Sequence, residues 1–268
     1  MSFAEIADGV HILRYPVLDV NVTLVLGGAA ALVVDTLSTE AQAGELVEAA
    51  RAVTDLPLIA VNTHHHFDHA FGNAVLAAEG APIWAHEEAC VLLRTRGDAL
   101  RAQWAVEWPQ VAGLADVTIH PPDHAVHLES TLDLGGRQVV LRHYGRGHTA
   151  GDLVVLVPDT DTVIAGDLVE ESGPPQFQDA YPLDWPDTLA AILPHLGAAT
   201  KVVPGHGAVV DRAFVTDQHA QLAALDWLIR DGEADAAPVA RVAAKAPYDL
   251  DTALIAVRRG YDQLAGKG

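Results

Sequence analysis

The segment Val61-Asn62-Thr63-His64-His65-His66-Phe67-Asp68-His69 follows an apolar run and sets four potential metal donors, His64, His66, Asp68 and His69, within six residues. Imidazole and carboxylate are donor types that zinc prefers. In an extended chain successive side chains alternate faces, so His64, His66 and Asp68 are expected on one side and His65 and Phe67 on the other. A turn into the small-residue stretch at 70–78 would aim His69 at a second ion. The segment therefore reads as the core of a two-metal hydrolytic site rather than a solvated histidine run.

Partners for it lie further along. His148 and His206 both stand in glycine-bracketed turns, Gly147-His148-Thr149-Ala150-Gly151 and Gly205-His206-Gly207, where missing side chains let backbone approach an ion closely. Asp167 follows Gly166 and reads as a donor or a turn residue. Asp35 and Asp152 read as structural carboxylates or as carboxylates that orient a ligating imidazole. His120, His124 and His127 change face and read as surface or supporting residues. Cys90 is the only cysteine; it excludes an intramolecular disulfide and a cysteine-ligated cluster, and reads as packing.

The elements that must position these donors fall into two similar halves. In the first, strand-like runs at 10–15, 21–26 and 30–34 lead to a helix at 39–53, capped by Ser38 or Thr39. A buried strand at 58–62 then delivers the histidine segment at its C-terminal end, where open α/β sheets place their ligands. A helix at 69–78, a strand at 83–85 and a helical stretch at 86–106 follow. Trp104 and Trp108 share a helical face, read as interior packing in preference to a substrate wall. In the second half, runs at 152–157 and 162–165 end in Gly166-Asp167, a helix covers 185–196, and a strand at 201–203 delivers Pro204-Gly205-His206-Gly207. The repetition predicts two similar layers packed back to back, with the site at their shared edge. Residues 211–268 read as helical, with Leu222, Leu225, Leu228 and Ile229 on one apolar face.

Composition narrows the partners. The 36 acidic against 16 basic residues give a formal net charge of −20, which argues against nucleic acid and against an anionic membrane surface. Half of the 268 residues are apolar, enough for a full core. No uninterrupted apolar stretch is long enough to span a bilayer. Met1-Ser2-Phe3-Ala4-Glu5 has neither the basic nor the apolar part of a secretory signal, and a cytoplasmic location is the expectation.

His64-His65-His66-Phe67-Asp68-His69, Gly147-His148-Thr149-Ala150-Gly151-Asp152, Gly166-Asp167 and Pro204-Gly205-His206-Gly207 occur in that order and resemble the metallo-β-lactamase-fold hydrolase superfamily, nearest its glyoxalase II-like branch. The resemblance implies an α/β protein: an αββα sandwich over residues 1–210, with a short C-terminal helical extension over 211–268 packed on the same domain. It implies two divalent ions, zinc expected and iron or manganese as alternatives, with His64, His66 and His148 on the first, Asp68, His69 and His206 on the second, and Asp167 bridging. Two ions about 3.5 to 4 Å apart hold a water whose pKa falls towards about 7, and Asp68 is the candidate to orient it and pass on its proton.

The family's lactonases carry a tyrosine shortly after the bridging aspartate, where this chain has Leu168-Val169-Glu170-Glu171. Glyoxalase II itself has a longer helical tail that grips glutathione. The expected substrate is therefore a small acyl compound, a thioester first and a lactone or β-lactam second. A mononuclear iron persulfide dioxygenase, held by His64, His148 and Asp167, is the alternative, and a noncatalytic metal-binding scaffold the third reading. The loop after Asp167 supplies the expected pocket lining: Phe177, Tyr181 and Trp185.

Overall fold

A computed structural model describes residues 2–267. The first half runs β1 (Ala4–Ala7), β2 (Val10–Tyr15), β3 (Val20–Leu26), β4 (Ala31–Val34), α1 (Glu40–Arg51), β5 (Leu58–Val61), α2 (Phe67–Ala70), α3 (Asn73–Ala78), β6 (Ile83–His86), α4 (Glu87–Glu107) and β7 (His124–Val126). The second runs β8 (Glu129–Asp133), β9 (Gln138–Arg142), β10 (Val154–Val157), β11 (Thr162–Glu170), α5 (Trp185–Ile192) and β12 (Lys201–His206), and α6 (Arg212–Ala234), α7 (Val239–Ala243) and α8 (Leu250–Leu264) close the chain.

The 12 strands form one hydrogen-bonded sheet in the order β7-β6-β5-β4-β3-β12-β11-β10-β9-β8, with β2 also on β3 and β1 on β2. In the strand ladder the two halves join through one register pair, His206 of β12 with Val20 of β3, and there the sheet folds into two layers. Alternation along the strands shows how they pack. In β4, Leu32 and Val34 point into an inner core shared with Val155, Ile164 and Val203, while Ala31 and Val33 point outward with Leu46 of α1. In β11, Ile164 faces the same inner core, and Val163 and Ala165 face Leu189 of α5 and Leu222, Leu225 and Ile229 of α6. Strand faces that are apolar on both sides require cover on both; the result is the αββα sandwich. Among the described residues no helix is long and apolar enough to cross a membrane.

The internal repeat is visible in the pairing: β3 and β4 are antiparallel and β5 follows parallel to β4, as β10 and β11 are antiparallel and β12 follows parallel to β11. The sequence expectation has no strands at β1, β7, β8 and β9 and ends β12 at 203 instead of His206, and three further elements differ from it. The helix expected at 69–78 is two helices broken at Gly72, whose N–H leaves the helical ladder for the Leu37 carbonyl at 2.9 Å and where a Cβ would lie 1.9 Å from the Thr36 carbonyl. The helix expected at 185–196 stops at Ile192 and ends in a 3-10 turn at Leu193–His195, which contains Pro194. The strand expected at 162–165 runs on to Glu170, with register shifts on either side of Gly166.

One buried histidine outside the donor segments sets an acid dependence of stability. His86 is the N-cap of α4, where its Nδ1 accepts the Glu88 N–H at 3.3 Å, and its Nε2 donates to the His127 carbonyl at 3.0 Å. Burial, reinforced by the His143 ring stacked at 4.1 Å, pulls it down to about 4 from its ordinary 6.5. The unfolded chain takes up this proton near 6.5 and the folded chain only near 4, so unfolding binds a proton in that window and stability falls as pH drops through it. His86→Asn keeps a capping oxygen and is expected to flatten the slope by on the order of 2–3 kcal/mol between pH 7 and 4, as read from urea midpoints. An unchanged slope would show that His86 protonates without unfolding.

Candidate metal centre

The donors converge at the end of the sandwich where β5 and β12 finish. His64 and His66 lie in the bend after β5, Asp68 and His69 in α2, His148 in the loop between β9 and β10, Asp167 within β11 and His206 at the last residue of β12. Donor atoms of His64, His66, His148 and Asp167 lie within 4.8 Å of one another, and so do those of Asp68, His69 and His206. Asp167 faces both sets. Its Oδ2 is 3.7 Å from His64 Nε2 and 3.4 Å from His148 Nε2, and on the other side 3.3 Å from His206 Nε2, while its Oδ1 is 3.2 Å from His69 Nε2. Every residue of the expected ligand set is thus brought to one place.

The local path differs from the extended one read from alternation. The chain turns helical at Phe67, with His66 as its extended N-cap. A buried hydrogen-bond hub forces this: Asn62 Nδ2 donates to the His69 carbonyl at 3.0 Å and to Asn73 Oδ1 at 2.9 Å, and the Thr36 N–H donates to the same His69 carbonyl at 2.8 Å. The short helix swings Asp68 and His69 together toward the second set and leaves His64 and His66 with the first. Asp35, held at φ +69, accepts from Thr63 N at 2.7 Å, from Thr63 Oγ1 at 2.8 Å and from His69 Nδ1 at 2.9 Å, so Nε2 of His69 is the nitrogen that faces the site. The Asp152 carboxylate hydrogen-bonds no imidazole, His143 Nδ1 reaching only its backbone carbonyl at 2.9 Å; it accepts from the Thr149 N–H at 2.9 Å and hydroxyl at 2.6 Å and so ties down the turn that carries His148.

Electrostatics divide the two sets. Burial drives His64 well below its ordinary value and His148 down to about 4, so both present neutral lone pairs. For His206 burial acts in the same direction, but Asp167, Glu170 and Asp68 override it and hold the ring at about 10; His69 is likewise carried well above its ordinary value by Asp167, Asp68 and Asp35. Burial works against the Asp167 charge, yet the surrounding imidazoles, His69 and His206 foremost, hold that carboxyl well below the usual range. His64 Nε2 and Asp167 Oδ1 are buried without a hydrogen-bond partner. Buried polar atoms left this way are costly, and divalent cations at the two sets would satisfy them with the nitrogen and oxygen donors zinc takes.

A cavity of about 970 Å³ opens over the cluster. Tyr181 lies on its wall, beneath the Arg146 guanidinium at 4.3 Å. Phe177 and Trp185, expected beside it, are instead 1% and 0% exposed in the core under α5. The chain between them alternates direction, and the largest apolar side chains take the inward places. Trp185 serves the site from behind: its ring packs 5.7 Å from that of His148 and its Nε1–H donates to the Leu168 carbonyl at 3.1 Å. The aromatic wall comes from Phe67, Trp104 and Trp108: Trp104 is lining as well as packing, whereas Trp108, the residue after α4, is exposed and forms wall, not interior as expected. Glu88, Leu92, Arg96 and Leu100 continue that wall at a spacing of four, a stripe visible in the sequence as one helical face. His120, His124 and His127 are absent from both donor sets and from the cavity wall.

Two residues had no sequence signal. Glu170, three residues past Asp167, is 6% exposed and borders the cavity, with Oε1 unpartnered; burial and the nearby Asp167 push its carboxyl well above the usual range. Asp179, in the loop after β11, reaches His66 Nε2 at 3.0 and 3.2 Å.

A family profile described as the Metallo-beta-lactamase superfamily matches residues 15–232. Among curated proteins, the chain is similar to a metallo-beta-lactamase type 2 of Bacillus cereus, 32% identical over 89 residues, which is 32% of this chain and 35% of that one. It is also similar to a metallo-beta-lactamase type 2 of Bacillus sp. (strain 170), 26% identical over 168 residues, 62% of this chain and 56% of the relative. The matched stretches thus span only 35% and 56% of the lengths of these relatives. Among solved structures, a metallo-beta-lactamase from Pontibacter korlensis superposes with a TM-score of 0.66 at 22% identity, covering 83% of this chain and 98% of the other. The metallo-beta-lactamase FIM-1 from Pseudomonas aeruginosa in its mono-zinc form gives 0.64 at 24% identity, over 83% and 94%. At such identity the likeness concerns the fold.

Proposed function

This chain belongs to the metallo-beta-lactamase superfamily, and from that premise we propose that it is a binuclear, zinc-dependent hydrolase of a small acyl substrate on the glyoxalase II-like side of the family. The observation that carries the proposal is the Asp167 carboxylate set between two complete donor groups, His64-His66-His148 and Asp68-His69-His206. Two bound ions would supply a hydroxide nucleophile at neutral pH and a Lewis acid for the carbonyl. The chain's own groups do the rest. Asp35 and Trp185 hold His69 and His148 in place. Asp68, with Oδ2 3.4 Å from His206 Nε2 and bordering the cavity, is the carboxylate placed to accept the proton released as the nucleophile adds. The division at 210/211 into a hydrolase domain and a helical extension is part of the same proposal.

Cavity chemistry orders the substrates. Phe67, Trp104 and Trp108 offer apolar area to an acyl group. Leu168-Val169-Glu170-Glu171 stands where the family's lactonases carry a tyrosine, which sets lactones behind thioesters. A thioester is therefore placed first, a lactone or β-lactam second, and the net charge of −20 sets phosphodiesters and RNA last. Metal analysis with a matched kinetic panel tests this: two zinc-like ions per chain with fastest turnover of thioesters is the expected result. One iron with oxygen consumption, or fastest turnover of phosphodiesters, would end it. On the wall, Trp108→Ala and Tyr181→Ala are each expected to shift relative kcat/KM among acyl substrates by about tenfold, the loss of roughly 1.4 kcal/mol of selective contact. Unchanged ratios in both variants would remove the wall from specificity.

A further inference from the structure

We propose that Asp179 is the positioning residue of His66, fixing which ring nitrogen this histidine presents to the first metal. The inference rests on the metal placement proposed above. The two nitrogens of His66 face different groups: Nδ1 lies 2.9 Å from His148 Nε2, inside the donor set, and Nε2 lies 3.0 and 3.2 Å from the Asp179 carboxylate oxygens, outside it. A carboxylate can only accept. His66 must therefore donate from Nε2, and its Nδ1 lone pair is left for the ion, the carboxylate–histidine–metal relation that sets tautomer and ring orientation. Asp35 stands in the same relation to His69 from the opposite side, through Nδ1, so each metal group has one carboxylate-steered imidazole.

The two carboxylates differ in what holds them. Asp35 is 1% exposed and fixed by three hydrogen bonds at the end of β4. Asp179 rides on the loop between β11 and α5, its side chain 47% exposed, and its other neighbour is His65 Nε2 at 3.5 Å. Its contacts with these two histidines tie that loop to the histidine segment. Gln176, Gln178 and Tyr181 of the same loop form cavity wall. A group bound against that wall therefore acts on the loop that steers His66, a physical route from substrate contact to the first metal that the rigid Asp35 cannot provide.

The test is zinc affinity of the full chain, measured by competition with a chromophoric chelator. In a His206→Ala background, which keeps the first donor set, Asp179→Ala is expected to weaken zinc about 10- to 100-fold, the usual effect of removing a hydrogen-bonded neighbour of a metal ligand. Asp179→Asn, which retains an accepting oxygen, is expected to restore most of the loss. In a His148→Ala background, which keeps the second set, Asp179→Ala should leave affinity unchanged. Nitrogen-15 spectra of the zinc-loaded chain supply a second reading: the His66 proton belongs on Nε2, and in Asp179→Ala it exchanges faster. Wild-type affinity in the first background, equal weakening in both, or a His66 proton on Nδ1 overturns the role. Substrate turnover is not read in these experiments, so failure of the acyl panel ends the hydrolase reading without touching this one.

Discussion

Asp167→Ala is expected to lower kcat/KM by more than about 100-fold and to weaken zinc at both donor sets while far-UV circular dichroism stays unchanged. The floor on the size follows from metal sites generally, where even the hydrogen-bonded neighbours of ligands cost about 10- to 100-fold when removed. Asp167 is nearer than a neighbour: its two oxygens lie 3.2 to 3.7 Å from His69, His206, His148 and His64, and among the described residues no other carboxylate reaches both sets. Asp68 contacts only His69 and His206. The fold should survive because the strand carrying Asp167 is anchored by Ile164 and Ala165 in the apolar layers on either side of the sheet. Metal content by mass spectrometry of the dialysed protein checks it; two retained zinc ions with full turnover would show the ligand assignment to be wrong.

A comparable loss is expected from Gly205→Ala, a residue that carries no donor. A Cβ there would lie 1.7 Å from Asp167 Oδ1, 2.9 Å from its Cγ and 3.0 Å from its backbone nitrogen. Real atoms do not approach so closely, so the carboxylate must rotate out of the cluster or β11 must shift away from β12. The first outcome removes the shared donor; the second separates Asp167 from His206, which ends the neighbouring strand. Overpacking of this kind also costs about 1–3 kcal/mol of stability, and kcat/KM is expected to fall nearly as far as in Asp167→Ala. Gly44→Ala is the control: Gly44 sits in α1 with nothing within 4 Å of a built Cβ, and alanine there should leave turnover unchanged and add up to about 1 kcal/mol of helix stability. Normal zinc content and kinetics in Gly205→Ala would mean that Asp167 has room the geometry denies it.

These two variants mark what sequence and structure each contribute. The donors were legible because their chemistry is local: imidazole and carboxylate packed into residues 64–69, and histidines bracketed by glycines at 148 and 206. The layered architecture was legible for a similar reason, since runs such as Ala31–Val34 and Val154–Val157 are apolar on both faces and can be buried only between two covers. Hydrophobic periodicity and ligand type are written along the chain and need no knowledge of what lies across the site.

What only the tertiary structure decided depends on groups far apart in sequence. A turn at His69 was readable from the small residues that follow it, but the swing of Asp68 away from the face of His64 and His66 comes from Asn62, Asn73 and Thr36 meeting under α2, not from strand alternation. Phe177 and Trp185 went to the core, and Trp108 went to the cavity, because facing layers determine which side of a loop or helix is buried. Asp179 reaches His66 across 113 positions of chain, a separation at which no spacing rule operates. Residue type and period determined which groups could bind metal and which surfaces had to be covered. Packing between the two halves decided which nitrogen of each imidazole faces the cluster, because that choice belongs to a hydrogen-bond partner brought in by the fold.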